Sequence, residues 1–283
     1  MSTHGAVSAL LLSFLTAMTG CIASADTEEA LEIDPLAVPY ETMEGPETTN
    51  GLNPVFFWDL GNQQALRSLG AAALVGARGT LPATTLLSTA GGRSVLGYAM
   101  RCALPAGDAV QSSNGVVFQG DIGLAPAWTS RALTTSEQRW VTACLLQHLN
   151  GIGASVPMLL EGSHEALTPG PGDDLSSYTI GDATTFGNVF VQSLLGNNAW
   201  VCVDPGLELT CGVGISLSTL ERLCGLSPTC GVSLLGLCLL HCSYSASGDP
   251  SCAPPLGPTY SQAIASKLQE AQLLALYPLC VLP

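Results

Sequence analysis

Cysteine is the residue type that gives this chain its clearest chemistry. The sequence contains 11 cysteines, and an even number of them follow Cys21. An even set can pair completely, and disulfides persist in oxidising compartments but are rare in the cytosol. We therefore predict that the following residues form disulfides: Cys102, Cys144, Cys202, Cys211, Cys224, Cys230, Cys238, Cys242, Cys252 and Cys280. The pairing does not follow from the sequence, but the crowding between Cys224 and Cys252 favours mostly local bridges there.

A metal site is the alternative chemistry for part of this set. Cys238, His241 and Cys242 lie close together in the sequence, and Cys224 and Cys230 could complete a four-ligand zinc site. However, the chain has no Cys-x-x-Cys pair, and thiols in an oxidising compartment are more readily bridged than metallated. We therefore expect bridges at these positions, with no metal and no other cofactor.

Histidine could supply general-base chemistry. His148 or His164 could serve as the base of a secreted hydrolase, beside a serine or a carboxylate. The chain has no G-x-S-x-G, H-E-x-x-H or P-loop sequence. The polar run 161–165 around His164 is more typical of a solvated turn. Catalytic residues therefore stay unassigned, and the hydrolase is a second hypothesis.

The N-terminal segment indicates export. The apolar run from Ala6 to Met18 has the length of a signal-peptide core, roughly 7 to 15 residues, and is shorter than the roughly 20 that span a bilayer. Met18-Thr19-Gly20-Cys21 resembles the lipobox of bacterial lipoproteins. That resemblance implies that residues 1–20 are removed and that the Cys21 sulfur carries a diacylglycerol. Ile22, in place of Asp, then favours the outer membrane.

A second cleavage site lies close to the first. Ala23-Ser24-Ala25 is a sequence that an ordinary signal peptidase could cut. Cleavage after Ala25 would release a soluble periplasmic or secreted chain that begins at Asp26. The sequence therefore predicts an exported protein, anchored to a membrane by lipid in the first case and soluble in the second.

Charge divides the exported chain into a tether and a domain. Residues 26–50 hold eight of the 22 acidic residues, several prolines and no Lys or Arg, which is typical of a self-repelling disordered spacer. We therefore predict a lipidated N-terminus and tether over 21–50 and one globular domain over 51–283, with a cysteine-rich part at about 200–283. With 8 basic residues against 22 acidic ones, the chain offers no basic patch for nucleic acid.

Helical spacing predicts several helices in the domain. A pattern runs from about Gly61 to Ala73, and another runs from Ser88 to Leu104. Thr134-x-x-Glu137 is a capping box, and the helix after it is predicted to stop at Asn150-Gly151. Cys102 and Cys144 then lie on the apolar sides of two helices. They could bridge those helices, or each could reach into the C-terminal half.

The remaining segments predict strands and two short C-terminal elements. Asn114-Gly115 between strand-like runs predicts a hairpin. Ser218-x-x-Glu221 predicts the start of a short helix that ends at Cys224. Residues 261–277 fit a helix, although 260–268 could instead be a strand. Buried strands are expected at 156–160, 186–191 and 200–203. The fold class is therefore α+β: a single disulfide-bonded domain of helices, a hairpin and short strands, with a cysteine-rich C-terminal part.

Several segments resemble an uncharacterised group of myxobacterial lipoproteins. The most specific is Trp140-Val-Thr-Ala-Cys144-Leu-Leu146, and the similarity covers most of residues 85–245. The resemblance implies a cysteine-paired domain tethered to a surface, and it carries no activity with it. We therefore expect a cell-envelope lipoprotein whose domain binds an envelope protein or a polysaccharide without catalysis.

Overall fold

The computed structural model describes residues 47–283 except 77, 154, 172, 193–197, 213, 228, 279 and 281–283. The predicted leader, lipidation site at Cys21, alternative cleavage site at Ala25 and most of the tether lie outside the described residues. These assignments therefore stay predictions. The tether boundary is corrected, because Glu47–Thr49 forms a strand and Asn50 is buried. A composition averaged over 25 residues cannot reveal a strand of three.

A mixed sheet of six strands forms the centre of the described domain. Its order is β1-β4-β10-β5-β6-β7, and each pair is antiparallel except β6 with β7. The strands of the sheet are β1 (Glu47–Thr49), β4 (Pro157–Glu161), β5 (Ile180–Gly187), β6 (Ala199–Val203), β7 (Val232–Leu237) and β10 (Ala263–Leu268). Two hairpins complete the set: β2 (Ala109–Gln111) with β3 (Val117–Gln119), and β8 (Cys242–Tyr244) with β9 (Pro250–Cys252).

Helices pack against this sheet. Those in the described residues are α1 (Pro54–Phe57), α2 (Leu60–Gly70), α3 (Ala90–Ala103), α4 (Thr135–His148), α5 (Pro205–Cys211), α6 (Ile215–Cys224) and α7 (Glu270–Leu276). Short 3-10 turns occur at Thr85–Ser88, Pro126–Thr129, Glu165–Leu167 and Cys238–Leu240. The prediction of an α+β fold with a disulfide-bonded, cysteine-rich C-terminal part is confirmed.

Helix α4 is the central helix because it is buried on every side along most of its length. Residues 140–148 are all buried, as expected for a helix covered all round by other elements. Gln147 Nε2 donates to the carbonyls of Ala183 (2.9 Å) and Ile264 (2.7 Å) on neighbouring strands of the sheet. Thr185 Oγ1 donates to the Ala143 carbonyl at 2.8 Å. These bonds fix the helix on one face of the sheet, with α3 packed against it.

The other face of the sheet has a small aromatic cluster. Phe186 on β5 stacks on Trp200 on β6 with ring centroids 5.7 Å apart, and Tyr260 contacts both rings. Cys252 of the β8–β9 hairpin is buried in the same cluster. The cysteine-rich hairpin therefore covers a sheet face that the helices leave open.

The local predictions differ in outcome. Helices α3 and α4, the capping box and the β2–β3 hairpin are confirmed. The hairpin turn places Ser113 and Asn114 at its centre, because the Gly115 N–H donates to the Ser112 carbonyl, and Gly115 takes the positive φ of 89°. The predicted left-handed stop of α4 is wrong, since the helix ends at Leu149 in an extended conformation with ψ 129°.

Two C-terminal predictions are also resolved. The Ser218 cap is wrong, because α6 already begins at Ile215 after Gly214, and Ser218 lies inside the helix. The segment predicted as one helix over 261–277 divides into β10 and α7, so its alternative interpretation as a strand is the correct one for its first half. Alternating burial of Ala263–Leu268 against β4 and β5 decides this outcome.

Candidate functional site

The disulfide framework is the most extensive chemical feature of the domain. The structure joins the ten predicted cysteines in five bridges: Cys102–Cys144, Cys202–Cys238, Cys211–Cys280, Cys224–Cys230 and Cys242–Cys252. Two bridges are local, with sequence separations of 6 and 10 residues. The other three close loops of 36 to 69 residues. Because longer loops lose more entropy in the unfolded chain on cross-linking, these three are expected to contribute most to stability.

The pairing excludes the zinc set considered from the sequence. Cys224 is bonded to Cys230, Cys238 to Cys202, and Cys242 to Cys252. A sulfur in a disulfide cannot act as a thiolate ligand. Instead, the sulfurs of two different bridges, Cys202–Cys238 and Cys242–Cys252, lie side by side near β6 and β7.

His148 lies beside the bridge that joins α3 to α4. Its Nδ1 is 3.7 Å from Cys102 Sγ, 3.6 Å from Cys144 Sγ and 2.8 Å from the Cys144 carbonyl oxygen. A carbonyl only accepts, so Nδ1 carries the proton and donates to it. Nε2 then accepts from Thr48 Oγ1 at 3.0 Å. The sequence prediction that Cys102 and Cys144 bridge two packed helices, rather than reaching the C-terminal half, is the alternative that the structure selects.

Burial makes His148 unsuitable as a catalytic base. The side chain is 0% exposed, and this burial, together with the positive charge of Arg101, lowers the pKa of His148 to about 3. Asp121 contacts both Arg101 (3.5 Å) and Thr48 (3.4 Å), which resembles part of a catalytic constellation. No substrate can reach an imidazole that is fully enclosed. Its role here is to tie β1 to the helices.

His164 caps a short 3-10 turn. Its Nδ1 accepts from the Ala166 N–H at 3.1 Å, and its ring meets the edge of Trp140 with centroids 5.3 Å apart. Burial lowers the pKa of His164 below its usual value. The neighbouring Ser163 Oγ donates to the Ser261 carbonyl at 3.3 Å. The serine and the histidine therefore make separate structural contacts instead of a nucleophile–base pair.

An open polar cleft lies next to this turn. It has a volume of about 380 Å³ and is lined by residues 159–163, 167–169 and 247–249. Of its lining residues, Glu161 accepts from Lys267 Nζ at 2.7 Å, and Asp249 accepts from Ser245 and Ser247. Carboxylates and hydroxyls facing one cavity can hydrogen-bond a polar ligand such as a sugar. We refer to this site as the β4 cleft.

A second cleft lies against α2 and is mostly apolar. It has a volume of about 770 Å³, and its lining includes alanines, leucine and proline together with the uncharged polar residues Gln64, Ser68, Thr84 and Thr85. It has no carboxylate among these lining residues, in contrast to Glu161 and Asp249 of the β4 cleft. The β4 cleft is therefore the better candidate for polar binding.

The strongest electrostatic feature is a buried pair that the sequence did not reveal. Arg222 Nη2 and Asp182 Oδ2 are 2.9 Å apart with both side chains 0% exposed. Tyr277 Oη and Ser266 Oγ donate to the Asp182 carboxylate at 2.7 and 2.9 Å. Burial raises the pKa of Tyr277. Because every partner is satisfied and enclosed, this network is structural: it joins β5 to α6 and to the segment after α7.

No signal in the sequence could have found this network. Asp182, Arg222 and Tyr277 are isolated in the chain, and only the packing of α6 and of the segment after α7 against β5 brings them together.

Among the described residues, no helix is long and apolar enough to cross a membrane. In comparisons with known proteins, no family model matches this chain, and no curated protein or solved structure is significantly similar to it.

Proposed function

We propose that the protein is an exported cell-envelope lipoprotein, anchored in the outer membrane through Cys21, whose disulfide-bonded domain binds an envelope protein or a polysaccharide without catalysis. The pairing of ten cysteines in five bridges carries this proposal. Disulfides persist in oxidising compartments and are rare in the cytosol. The lipobox-like segment that ends at Cys21 supplies the route to that compartment and the means of attachment.

The surroundings of the histidines favour binding over hydrolysis. His148 is enclosed against a disulfide, and His164 is engaged at the start of a turn. The β4 cleft, in contrast, is open and carries Glu161, Ser163 and Asp249, whose oxygens can bond the hydroxyls of a neutral sugar chain. A net charge of -14 disfavours polyanions such as nucleic acid as partners.

Intact mass of the membrane-extracted protein tests export and anchoring. We expect loss of residues 1–20, addition of a diacylglycerol and an acyl chain at Cys21, and a mass gain for ten alkylated thiols only after reduction. Cys21→Ser is the control: it retains Ala23-Ser24-Ala25 and should be recovered in the soluble fraction. A wild-type mass with Met1 retained and free thiols would overturn the proposal.

Co-sedimentation with purified peptidoglycan sacculi tests the polysaccharide branch. The soluble domain should pellet with the sacculi, and Glu161→Ala with Asp249→Ala should reduce the pelleted fraction at least tenfold. Gln64→Ala with Thr85→Ala changes the second cleft and should leave the pelleted fraction unchanged. Absence of wild-type protein from the pellet would reject peptidoglycan as the partner. An envelope protein would then be the partner class to test.

A further inference from the structure

Two of the five disulfides lie in contact with each other. Cys202 is in β6 and is bonded to Cys238, which follows β7, while Cys242 and Cys252 are paired across the β8–β9 hairpin. The sulfurs of Cys202 and Cys242, which are not bonded to each other, are 3.6 Å apart. The three sulfurs of Cys202, Cys238 and Cys242 all lie within 4.8 Å of one another.

This contact brings the two bridges within reach of sulfur exchange. Disulfides rearrange when a thiolate attacks one sulfur of an existing bridge and expels the other. At 3.6 Å, the Cys242 sulfur touches the Cys202 sulfur. In-line attack places the attacking sulfur opposite the leaving sulfur, and the Cys242 and Cys238 sulfurs lie within 4.8 Å of each other, so a thiolate at Cys242 must first rotate its side chain to reach Cys202 from the side opposite Cys238. The sheet and the hairpin hold both residues in place, which makes the reaction effectively unimolecular.

Exposure decides which of the two bridges an external thiol meets first. Cys202, Cys238 and Cys252 are each 0% exposed, whereas Cys242 is only half-buried. The hairpin turn that follows Cys242 is exposed as well. Attack from outside therefore begins at the Cys242–Cys252 bridge, and the Cys202–Cys238 bridge is reached only through Cys242.

We propose that these two bridges form a thiol–disulfide exchange site whose substrate is an external dithiol, such as the reduced active site of a thioredoxin-like oxidoreductase. In the first step the dithiol supplies two electrons and two protons. The Cys242–Cys252 bond breaks, both sulfurs become thiols, and the external dithiol becomes a disulfide. This step consumes one equivalent of reductant.

The second step is internal and consumes no further reductant. Cys242 loses its proton, and its thiolate attacks Cys202 Sγ. The Cys202–Cys242 bond forms as the Cys202–Cys238 bond breaks, and the Cys238 thiolate takes up the proton that Cys242 released. The product has one bridge between β6 and β8, with thiols at Cys238 and Cys252.

The exchange moves a covalent link from one element to another. In the starting state Cys202–Cys238 ties β6 to the turn Cys238–Leu240. In the product this turn no longer has a disulfide. Two of its residues, Leu239 and Leu240, are already 65% and 77% exposed. Reduction of the surface hairpin would thus change the mobility of this apolar turn. This proposal depends on the bridges and not on the lipid anchor.

Cys252→Ser tests the internal step because it leaves Cys242 as a free thiol without added reductant. After alkylation at native pH and peptic digestion in acid, we expect a Cys202–Cys242 cross-linked peptide and a label on Cys238. Cys224→Ser is the matched control, since it frees the half-buried Cys230 and should give a label on Cys230 alone. A label only on Cys242, with Cys202–Cys238 intact, would overturn the proposal.

Limited reduction of the wild-type protein provides a second test that does not depend on the folding of a variant. One equivalent of dithiothreitol, followed by rapid alkylation, should label Cys238 and Cys252 together and yield the Cys202–Cys242 peptide. Labels on Cys242 and Cys252 together, with no such peptide, would show that the first bridge is reduced without exchange. That pattern contradicts the proposed site.

Discussion

Helix α4 has nine consecutive buried residues, Trp140 to His148, whereas α5, α6 and the residues after them expose large apolar side chains. Leu209 and Leu226 are 89% and 94% exposed. We call α3 and α4 the helical layer and residues 199–280 the cysteine-rich part. One disulfide lies in the helical layer, and four have both ends in the cysteine-rich part. Both regions contribute buried apolar residues to the core, so what distinguishes the cysteine-rich part is its number of cross-links together with its exposed leucines.

Reduction should affect the two regions unequally, and it is expected to have the largest effect. Each bridge stabilises by about 2–4 kcal/mol, so loss of the four should release the segments that they tie at the surface, including the Cys238–Leu240 turn and the β8–β9 hairpin, while α4 stays folded. Hydrogen exchange after treatment with a phosphine should show loss of amide protection in β7 and β8 before α4. Untreated protein is the control. Simultaneous loss of protection in α4 would show that the two regions are not independently stabilised.

Arg222→Met tests the non-covalent link between β5 and α6 of the cysteine-rich part. It leaves the Asp182 carboxylate buried without its cation, which costs about 3–5 kcal/mol of unfolding free energy. Urea denaturation measures this loss. Lys267→Met is the matched control, because it breaks the Lys267–Glu161 pair, in which both side chains are over one third exposed, and should cost less than about 1 kcal/mol. Equal losses would contradict the special role of the buried pair.

Acidification should weaken the helical layer through His148. The pKa of His148 falls to about 3 on folding, from 6.5, so the unfolded chain binds a proton that the folded chain does not. Stability from this group is complete above pH 6.5 and is lost as the pH falls toward 3, by about 2 kcal/mol between pH 7 and pH 5.

Unfolding free energies of the wild type and His148→Gln at pH 7 and pH 5 check this effect. The variant should lose less stability between the two pH values than the wild type. His164→Gln is the control, because it also removes an imidazole but at a partly exposed position. If His148→Gln lost as much unfolding free energy between pH 7 and pH 5 as the wild type, other groups would be the cause of the acid sensitivity.

The same contrast explains how much could be predicted from the sequence. Local signals defined the helical layer well: the Thr134–Glu137 capping box and the spacing of apolar residues gave α4 its start and its type. The cysteine-rich part was harder, because two of its four pairs, Cys202–Cys238 and Cys211–Cys280, join residues far apart in the chain. The contact between Cys202 and Cys242 arises from the register of β6 and β7 and the folding back of the hairpin, neither of which has a sequence signature.

The candidate sites show the same division. The bridging cysteines could be named from parity and context, but the β4 cleft is assembled from residues near 161, 168 and 248 that only the tertiary structure brings together. His148 was identified as a candidate, yet its burial depends on β1, a strand too short to detect from composition. Residue types were therefore predictable where chemistry is local, and their accessibility was not.

Thr134→Ala should have the smallest effect on stability. The size of that effect distinguishes stabilisation of α4 by its N-cap from stabilisation by its packing. Thr134 Oγ1 accepts from the Glu137 N–H at 3.3 Å, and the Glu137 carboxylate accepts from the Thr134 N–H at 2.8 Å. Loss of an N-cap costs about 1 kcal/mol, measured here by urea denaturation, with Thr135→Ala, an exposed neighbour that caps nothing, as the control. If burial dominates in the helical layer, the loss should stay near that value, because the enclosed residues 140–148 still hold the helix in place. A loss several times larger would mean that α4 depends on its local start more than on its packing, and the contrast with the cross-linked region would then have to be redrawn.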